Sequence, residues 1–446
     1  MGAGAAGLTA ALRAAEGGAP VTLLNAHPRI GLKILMSGGT RCNVTHEQVD
    51  ERDYNGGSRP FVARILRAFP AAKAREWFES LGVALKLEPS GKLFPATDDA
   101  HTVLDALLGA VMRAGVTIES GARVVRIERI GAETGGGAGG MAAAAAGRFR
   151  LGIQQVAGSA EFGPGVVAGL HAARWPLPAV IPARWIEADA VVLATGGLSF
   201  PRTGSDGTGF ALAAALGHTI VPPVPALTPL AAEDPLCRAC QGVTPEAELA
   251  LLADDRRVYA VRGSFLFAHF GYSGPAALDL SRHWLRAEAS DERRVTVSFV
   301  PGESAESLTA AWVHAAREEP RRTARRFLAA LLPERLAVAL CAEAGVEPGA
   351  QIAQVERAAR ARLIERLVAR ELPVSGTLGY EKAEVTAGGV ELSEVDPGTL
   401  ESRKCAGLYL CGEILDAEGR LGGFNFQWSW SSGTVAGMAA GRAGQA

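Results

Sequence analysis

The sequence predicts an α/β fold built on a parallel sheet, with a mostly β, barrel-like domain and a small helical domain inserted into it. Three observations predict this fold. The chain opens on a glycine-rich turn that leads into an amphipathic helix. Apolar runs that end in glycine, at 190–197 and 407–412, are typical of buried parallel strands with tight exit turns. Between those runs the pattern changes to short alternating strands and then to helices.

A chain of 446 residues has room for two or three domains, since domains run to about 100–200 residues each. The change in pattern divides it into a nucleotide-type domain, an inserted β domain, a helical subdomain rich in Arg and Ala, and a return to the first domain: 1–197, 198–305, 306–375 and 376–446. The Gly/Ala-rich run at 131–147 predicts a disordered loop. We assign no role to 148–186.

The opening turn reads Gly-x-Gly-x-x-Gly at Gly2, Gly4 and Gly7, the spacing with which Rossmann-like folds carry a dinucleotide pyrophosphate. Gly2 permits the tight turn, Gly4 lets the backbone approach the phosphates, and Gly7 lets the helix pack on the sheet. The helix that follows presents free N–H groups and a positive dipole end to the pyrophosphate.

This fingerprint departs from the usual pattern in two ways. The strand that normally precedes the glycines is missing, because the chain starts at Met1. Asn25 stands where an acidic residue normally holds the ribose hydroxyls. We therefore expect that the natural protein begins upstream of Met1, or that this chain is poorly stable and holds its nucleotide weakly. Restoring a strand before Gly2 is expected to raise the melting temperature and the nucleotide occupancy, and Asn25→Glu is expected to tighten nucleotide binding further.

Composition narrows the range of functions. The net charge of −2 gives no electrostatic reason to expect nucleic acid or anionic lipid as a partner, and we expect neither. No apolar run is long enough to span a membrane, and no signal peptide is evident. We therefore expect a cytoplasmic protein that acts on a small molecule; its oligomeric state is left open. The Cys237–Cys240 pair lies in a proline-rich stretch and lacks further ligands, so we expect neither a redox dithiol nor a metal site.

Six segments together resemble one family, the bacterial NAD(P)/FAD-dependent or aminoacetone-oxidase-family FAD-binding flavoproteins, of which some relatives reduce ring double bonds of oxidised bile acids. The segments are Gly2–Gly7, Gly31–Asn43, Ala194–Gly207, His269–Ser281, Val385–Val390 and Gly407–Gly437. The resemblance implies FAD, a nucleotide domain in two parts, an inserted β-barrel-like domain and a small helical domain. It also implies NAD(P)H as the electron donor.

The resemblance and the chemistry of these segments give a set of expected cofactor contacts. Lys33 and Arg41 flank a loop of small residues, which suits an anionic pyrophosphate or a reduced flavin. Thr40 replaces a glycine of the family pattern, which puts the local backbone geometry in question. The dipole of the last helix is suited to stabilising a reduced ring. The full set is Gly2, Gly4, Ala5, Ala6, Gly7, Asn25, Lys33, Ser37, Gly38, Arg41, Cys42, Asn43, Val124, Ala194, Thr195, Gly196, Gly412, Glu413, Gly423, Asn425 and Phe426.

His269 and Tyr272 are the candidate catalytic residues, since a His and a Tyr near a flavin are able to donate protons to a substrate. A structural turn explains the same segment equally well. The expected function is an FAD-dependent oxidoreductase in which NAD(P)H drives hydride transfer to an activated double bond of a small organic substrate. Two alternatives stay open at this point: an amine oxidase that uses oxygen, and a degenerate flavin- or nucleotide-binding protein without turnover.

Overall fold

The computed structural model describes residues 1–130, 148–158, 175–287 and 292–443. The Gly/Ala-rich run at 131–147, for which the sequence predicts a disordered loop, lies outside these residues. The chain forms two compact units: unit 1 holds Met1–Pro223 and Glu384–Ala446, and unit 2 holds Val224–Ala383.

The helices of unit 1 are α1 Ala5–Glu16, α2 Leu32–Thr40, α3 Arg59–Ala68, α4 Ala71–Ser80, α5 Ala100–Arg113, α6 Thr208–Ala215 and α13 Phe424–Ala443. Its strands are β1 Thr22–Asn25, β2 Thr45–His46, β3 Tyr54–Gly56, β4 Leu85–Leu87, β5 Lys92–Pro95, β6 Thr117–Ser120, β7 Ala122–Ile130, β8 Arg148–Gln155, β9 Arg184–Ala188, β10 Val191–Leu193, β20 Val385–Val390, β21 Leu408–Leu410 and β22 Ala417–Gly419. Strand β11, Ile220–Ala226, pairs with β20 and leads out of unit 1.

The first residues of the chain lie between two parallel strand pairs, β1–β6 and β10–β21. The Met1 nitrogen donates to Val192 O (2.8 Å), and Ala194 N donates to Met1 O (2.9 Å). On the other side, Gly2 N donates to Leu24 O (2.7 Å). The short segment before the glycine turn therefore hydrogen-bonds to strands on both of its sides.

Helices α1 and α13 pack closely because α13 presents glycines one turn apart to the backbone of α1. A Cβ on Gly433 would lie 2.6 Å from Ala6 O, and one on Gly441 would lie 2.9 Å from Ala14 O. Gly437 lies between them and faces α1 in the same way. These contacts join the end of the chain to the helix that follows the glycine turn, as the resemblance implies for a nucleotide domain in two parts.

Unit 2 contains two four-stranded antiparallel sheets, ordered β15–β16–β12–β19 and β14–β13–β17–β18. Its strands are β12 Leu230–Ala232, β13 Glu246–Ala253, β14 Arg256–Ser264, β15 Leu266–Ala268, β16 Gly271–Ser273, β17 Arg293–Ser298, β18 Arg370–Leu372 and β19 Val374–Thr377. Its helices are α7 Pro235–Ala239, α8 Pro275–Arg286, α9 Ala305–Glu318, α10 Ala324–Leu328, α11 Glu334–Ala344 and α12 Arg357–Ala369.

The two units do not coincide with the four segments drawn from the sequence. The segment after residue 197 stays in unit 1, because Leu198 N and Ser199 N both donate to Thr386 Oγ1. The helices after residue 305 belong with the β strands, because residues such as Leu340 and Val297 share one hydrophobic core. Sequence pattern separates strands from helices, whereas packing decides which of them form one unit.

Candidate functional site

The glycine turn is crowded on one side and open on the other. A Cβ on Gly7 would overlap the Gly2 carbonyl oxygen, so the start of α1 lies tight against the turn. A Cβ on Gly4 would meet no atom within 4 Å, so the backbone there borders open space. Helix α1 begins at Ala5 and has no acidic residue in its first turn. An anion at this open helix end would meet backbone N–H groups and the positive end of the dipole.

Asn25 is buried, and both polar atoms of its side chain form hydrogen bonds with nearby backbone groups. Its Oδ1 accepts from Ala3 N (2.9 Å), inside the glycine turn. Its Nδ2 donates to His27 O (2.6 Å) and to Arg29 O (3.3 Å). The amide therefore braces the turn against the loop after β1. A carboxylate here would lose both donated hydrogen bonds, which explains why an uncharged residue suits this position.

Lys33 and Glu413, expected from the sequence as cofactor contacts, form an ion pair of 2.6 Å at which distant parts of unit 1 meet. Ser199 donates to Glu413 Oε1 (2.6 Å) and accepts from Lys33 Nζ (2.7 Å). Thr386 N also donates to Glu413 Oε1 (3.0 Å). Both carboxylate oxygens thus have partners, and the two charges compensate each other.

Neither Ser199 nor Thr386 was expected at the site. Both lie inside segments that resemble the family, but a single hydroxyl gives no signal of its own in one sequence. Their roles depend on neighbours more than 180 residues away: Ser199 N is 3.1 Å from Thr386 Oγ1, and Ser199 Oγ is 2.6 Å from Glu413.

Arg41 and Lys33 do not point into one common space as free cations. Arg41 donates to Glu88 (2.7 Å) and lies 4.0 Å from the centre of the Phe94 ring. The Arg41 guanidinium therefore lies against the β4–β5 hairpin. Thr40 is exposed and has a φ of +69°, the left-handed backbone that favours glycine. Thr40 thus holds a strained backbone conformation that glycine adopts freely.

Three further residues of this loop differ in what their side chains can do. Ser37 Oγ donates to Ile34 O (2.9 Å), which ties it to α2. Cys42 is fully buried, and burial raises its pKa to about 12, so the side chain is a neutral thiol. Asn43 is also buried, but its Oδ1 has no hydrogen-bond partner among the residues that the structure describes. Gly38 is exposed at the turn of the loop.

The second turn follows β10 as expected. Ala194 is buried and bonds to the first residue of the chain, while Gly196 faces Ser205: a Cβ on Gly196 would lie 2.8 Å from Ser205 Oγ. Thr195 Oγ1 is buried and has no hydrogen-bond partner within the described part of the chain. Val124 is buried in β7. Thr195 therefore supplies a second polar atom, after Asn43 Oδ1, whose hydrogen-bonding capacity the protein leaves unused.

The C-terminal residues expected at the site hold the start of α13 in place. Gly412 O accepts from Trp428 Nε1 (3.0 Å). The Asn425 amide pairs with both backbone groups of Gly419, at 2.8 and 2.9 Å. Phe426 stacks on Trp430 with ring centres 5.5 Å apart. Asn425 and Phe426 are thus anchored by the protein itself, while Gly423 immediately precedes the helix.

Of the two candidate catalytic residues in unit 2, Tyr272 is committed to the interior. It is fully buried, and its hydroxyl donates to Asp234. Arg370 donates to Asp234 (2.8 and 3.0 Å) and to Glu343 (2.8 and 2.9 Å), which completes a buried network. Burial and the bond to Asp234 raise the pKa of Tyr272 far above its ordinary value. The side chain of His269, by contrast, is exposed.

Cys237 and Cys240 are buried in the core of unit 2. Burial raises the pKa of Cys237 to about 12 and also raises that of Cys240, which disfavours the thiolate needed for redox exchange. Among the described residues, no group of His, Cys, Asp and Glu has the arrangement of a metal site. Within the same residues, no helix is both long and apolar enough to cross a bilayer.

Comparisons with known proteins match nearly the whole chain. The sequence model described as "HI0933-like protein Rossmann domain" matches residues 1–135 and 180–439. A 3-dehydro-bile acid delta(4,6)-reductase from Clostridium scindens is 33% identical over 443 residues, which cover 99% of this chain and 98% of that protein. A ribosomal RNA dihydrouridine synthase from Escherichia coli is 30% identical over 433 residues, which cover 97% of this chain and 94% of that protein.

Among solved structures, a 3-ketosteroid delta1-dehydrogenase from Sterolibacterium denitrificans is 12% identical, with a TM-score of 0.48 over 99% of this chain and 98% of that one. Likeness at this level assigns no function. The family match confirms the resemblance drawn from the motifs and the Rossmann-type fold, and with the two relatives it confirms an enzyme.

Proposed function

We propose that this chain, which belongs to the HI0933-like Rossmann family of FAD-binding flavoproteins, is an NAD(P)H-dependent reductase that saturates an activated carbon–carbon double bond of a small organic substrate. The observation that carries the proposal is the identity of 33%, over 99% of the chain, to a bile-acid delta(4,6)-reductase. When bound, FAD supplies a carrier that takes two electrons as hydride from NAD(P)H and gives them to the substrate. One hydride and one proton add across the double bond, and NAD(P)⁺ is released.

The residues of unit 1 fit a bound FAD. We assign the pyrophosphate to the open space at Gly4 and the N-terminus of α1. Two buried polar atoms without protein partners, Asn43 Oδ1 and Thr195 Oγ1, remain available for hydrogen bonds to the cofactor. A buried polar atom left unsatisfied costs about 1–3 kcal/mol, so a ligand that bonds to them is stabilised. The Lys33–Glu413 pair connects helix α2 to the segment that follows β21.

The substrate also needs a proton source, and of the two candidates in unit 2 we assign this role to His269. Its side chain is exposed, whereas the Tyr272 hydroxyl is buried and donates to Asp234. Histidine is the side chain that enzymes most often use for proton transfer to a reacting group. His269→Gln is therefore expected to slow substrate reduction by about 100-fold, the lower end for loss of a general acid, without slowing reduction of the flavin by NAD(P)H.

Anaerobic half-reactions test the proposed function directly. FAD-loaded protein is mixed with NADH or NADPH, and bleaching of the flavin absorbance is followed. A 3-oxo-Δ4,6 bile acid is then added, and the product is examined by mass spectrometry for the gain of two hydrogens. Bleaching by a nicotinamide followed by reoxidation with product is the expected result. Bleaching by an amine alone would instead identify an oxidase, and no bleaching by any donor would contradict the proposal.

A second candidate substrate is uridine in ribosomal RNA. The net charge offers no electrostatic reason to expect nucleic acid, but a dihydrouridine synthase is 30% identical over 97% of the chain. The chemistry is alike, since forming dihydrouridine also adds two hydrogens across a ring double bond. Unmodified ribosomal RNA replaces the bile acid in a parallel reaction, and digested nucleosides are assayed for dihydrouridine. Reoxidation of the flavin by RNA, but not by the dienone, would select this candidate.

A further inference from the structure

A groove in unit 1 runs along one face of α3. Its volume is about 500 Å³, within the range of about 300–1,000 Å³ that small-molecule sites occupy. The residues of α3 that line it recur at helical spacing: Arg59, Pro60, Ala63, Leu66 and Arg67. The remaining walls are residues 49–51 and the start of α4. The groove thus has an apolar strip between two arginines that are about 12 Å apart along the helix, at about 1.5 Å per residue.

The charged side chains of this groove differ in whether the protein compensates them. Asp50 Oδ1 accepts from Arg52 N (2.9 Å) and lies 3.7 Å from Arg52 Nε, so this carboxylate belongs to the turn that follows it. The side chains of Glu51, Arg59 and Arg67 form no ion pair with any residue that the structure describes. Arg67 Nε donates to a backbone oxygen of its own helix (3.1 Å), which leaves its two terminal nitrogens as donors. Two arginines and one carboxylate give these uncompensated groups a net positive charge.

This set of groups suits a ligand that combines phosphates, a sugar and an apolar ring. Arginine binds phosphate well because its guanidinium presents a planar fork of donors. A carboxylate such as that of Glu51 accepts from ribose hydroxyls, as acidic residues do in dinucleotide sites. The apolar strip between the arginines suits the face of a purine. A steroid acid carries a single anionic group and therefore needs only one of the two arginines.

The groove lies close to the segment that precedes α13, where flavin contacts are expected. The turn that contains Glu51 is tied to that segment, because Arg420 Nε donates to Asp53 Oδ1 (2.7 Å). Tyr54 Oη donates to the carbonyl oxygen of Phe424 (2.8 Å), the first residue of α13. An electron donor held in the groove is therefore in the part of unit 1 that a reaction with the flavin requires.

We propose that this groove binds the adenosine end of NADPH, with Arg59 and Arg67 on its phosphates and Glu51 on the ribose. The inference rests on the proposed function, in which a nicotinamide is the electron donor, and it selects NADPH over NADH. NADPH carries a 2′-phosphate that NADH lacks, and the second arginine gives this phosphate a partner. The nicotinamide end extends from the groove toward the flavin.

Binding of NADP⁺ and NAD⁺ to the oxidised, FAD-loaded protein tests the inference, because neither of these oxidised dinucleotides reduces the flavin. Isothermal titration calorimetry gives both dissociation constants. The wild-type chain is expected to bind NADP⁺ more tightly than NAD⁺ by about tenfold or more, the effect of one hydrogen bond to a charged group. The double variant Arg59→Gln/Arg67→Gln is expected to lose this preference, because no cation remains for the 2′-phosphate.

Arg64→Gln is the matched control. Arg64 is an exposed arginine of the same helix that does not line the groove; it faces Gly398, where a Cβ would lie 2.9 Å from Arg64 Nη2. The control is expected to keep the preference of the wild type for NADP⁺. The melting temperature and the absorbance of retained flavin show that each variant folds and holds its cofactor. Loss of the preference in the control as well would contradict the assignment to the groove.

Two further results would overturn the site. One is a wild-type chain that does not prefer NADP⁺, or a double variant that keeps the preference. The other is binding of cholate that the double variant abolishes, without a preference for NADP⁺, which would assign the groove to a steroid acid. Failure of the proposed function is a separate result, since it is judged by reoxidation with a dienone or RNA. A chain whose preference for NADP⁺ depends on the two arginines, but which reduces neither substrate, keeps the nucleotide site and loses the reductase proposal.

Discussion

At the scale of single residues, some polar side chains of unit 1 pair with other protein groups. Others keep an oxygen atom that is free to bond to a ligand. Lys33, Glu413 and Ser199 satisfy one another, and the Lys33 and Glu413 side chains keep only 22% and 16% of their surface exposed. Asn43 Oδ1 and Thr195 Oγ1 have no protein partner. This division separates residues that position the site from residues expected to touch the cofactor.

The Lys33–Glu413 pair is expected to be strongly coupled. Lys33→Met and Glu413→Gln each leave a partly buried partner without its charge, and each is expected to lower the free energy of unfolding by about 1–3 kcal/mol. The double variant should lose less than the sum, since no uncompensated charge remains. Urea unfolding of the four proteins measures the coupling. Additive losses would show that the two residues act independently.

The hydrogen-bond partners of His218 indicate a structural role for this side chain. Its Nδ1 lies 3.0 Å from Glu394 Oε2, and its Nε2 lies 2.7 Å from Ser402 Oγ. The arrangement looks like a catalytic triad, but Ser402 Oγ also accepts from Lys404 N and Cys405 N, so it has no lone pair left for attack. The cluster is a buried clamp that requires a neutral imidazole.

The clamp predicts a pH dependence of stability. Burial lowers the pKa of His218, and the nearby Glu394 carboxylate only partly offsets this effect. Below the ordinary value of about 6.5 the unfolded chain binds a proton that the folded chain does not, so stability is lost as pH falls. His218→Gln is expected to reduce the slope between pH 7 and 5 by up to about 1.4 kcal/mol per pH unit. Urea unfolding across this range tests it; an unchanged slope would exclude the clamp.

At the scale of elements, the seam between α1 and α13 connects the two ends of the nucleotide domain. The glycines of α13 face the backbone oxygens of α1 without any side chain between them. Glycine within a helix costs about 1 kcal/mol relative to alanine, so these positions are retained for packing and not for helix propensity. Replacing the Cα hydrogen of one of these glycines with a methyl group would therefore force the two helices apart.

Gly437→Ala is expected to destabilise the protein, because the new Cβ would overlap Ala10 O. Overpacking of this kind costs about 1–3 kcal/mol and outweighs the gain in helix propensity. Gly109→Ala in α5 is the matched control, since its Cβ would meet only the flexible end of Arg113. The control is expected to leave the melting temperature unchanged or raise it. Equal effects at both positions would contradict the packing argument.

At the scale of the whole molecule, the expected cofactor contacts all belong to unit 1, although 160 residues of unit 2 separate its two parts. Strands β11 and β20 pair where the chain leaves and re-enters unit 1, so the two connections lie side by side. The candidate proton donor His269 belongs to unit 2. Binding of FAD and reduction of substrate are therefore expected to be separable.

Replacing 227–383 by a short Gly/Ser linker tests this separation. A compact unit with its own core and adjacent chain ends is expected to fold alone. The shortened protein should bind FAD within about tenfold of the affinity of the full chain and should lose reoxidation by substrate. Absorbance of the retained flavin and the anaerobic half-reactions measure the two properties. A shortened chain that folds but does not bind FAD would mean that unit 2 contributes to the cofactor site.

The sequence by itself determined the nucleotide turn, the helix after it and the family, because these depend on local spacing and on short motifs kept in order. Gly4 and Gly7 lie in open and in crowded surroundings respectively, as their spacing predicts. Only the tertiary structure decided the partners of side chains. The sequence gives no sign that Asn25 braces the turn, that Arg41 bonds to Glu88, or that Ser199 joins Lys33 to Glu413.

The same distinction holds for the sheet. Local spacing does not say how Met1 and Gly2 are paired, and only the fold shows that these residues bond to strands on both sides. The physical reason is that a motif is read along the chain, whereas a hydrogen bond or an ion pair depends on groups that folding brings together from distant positions. Propensity and spacing act over a few residues; the contacts that complete this site span up to 380 positions of sequence.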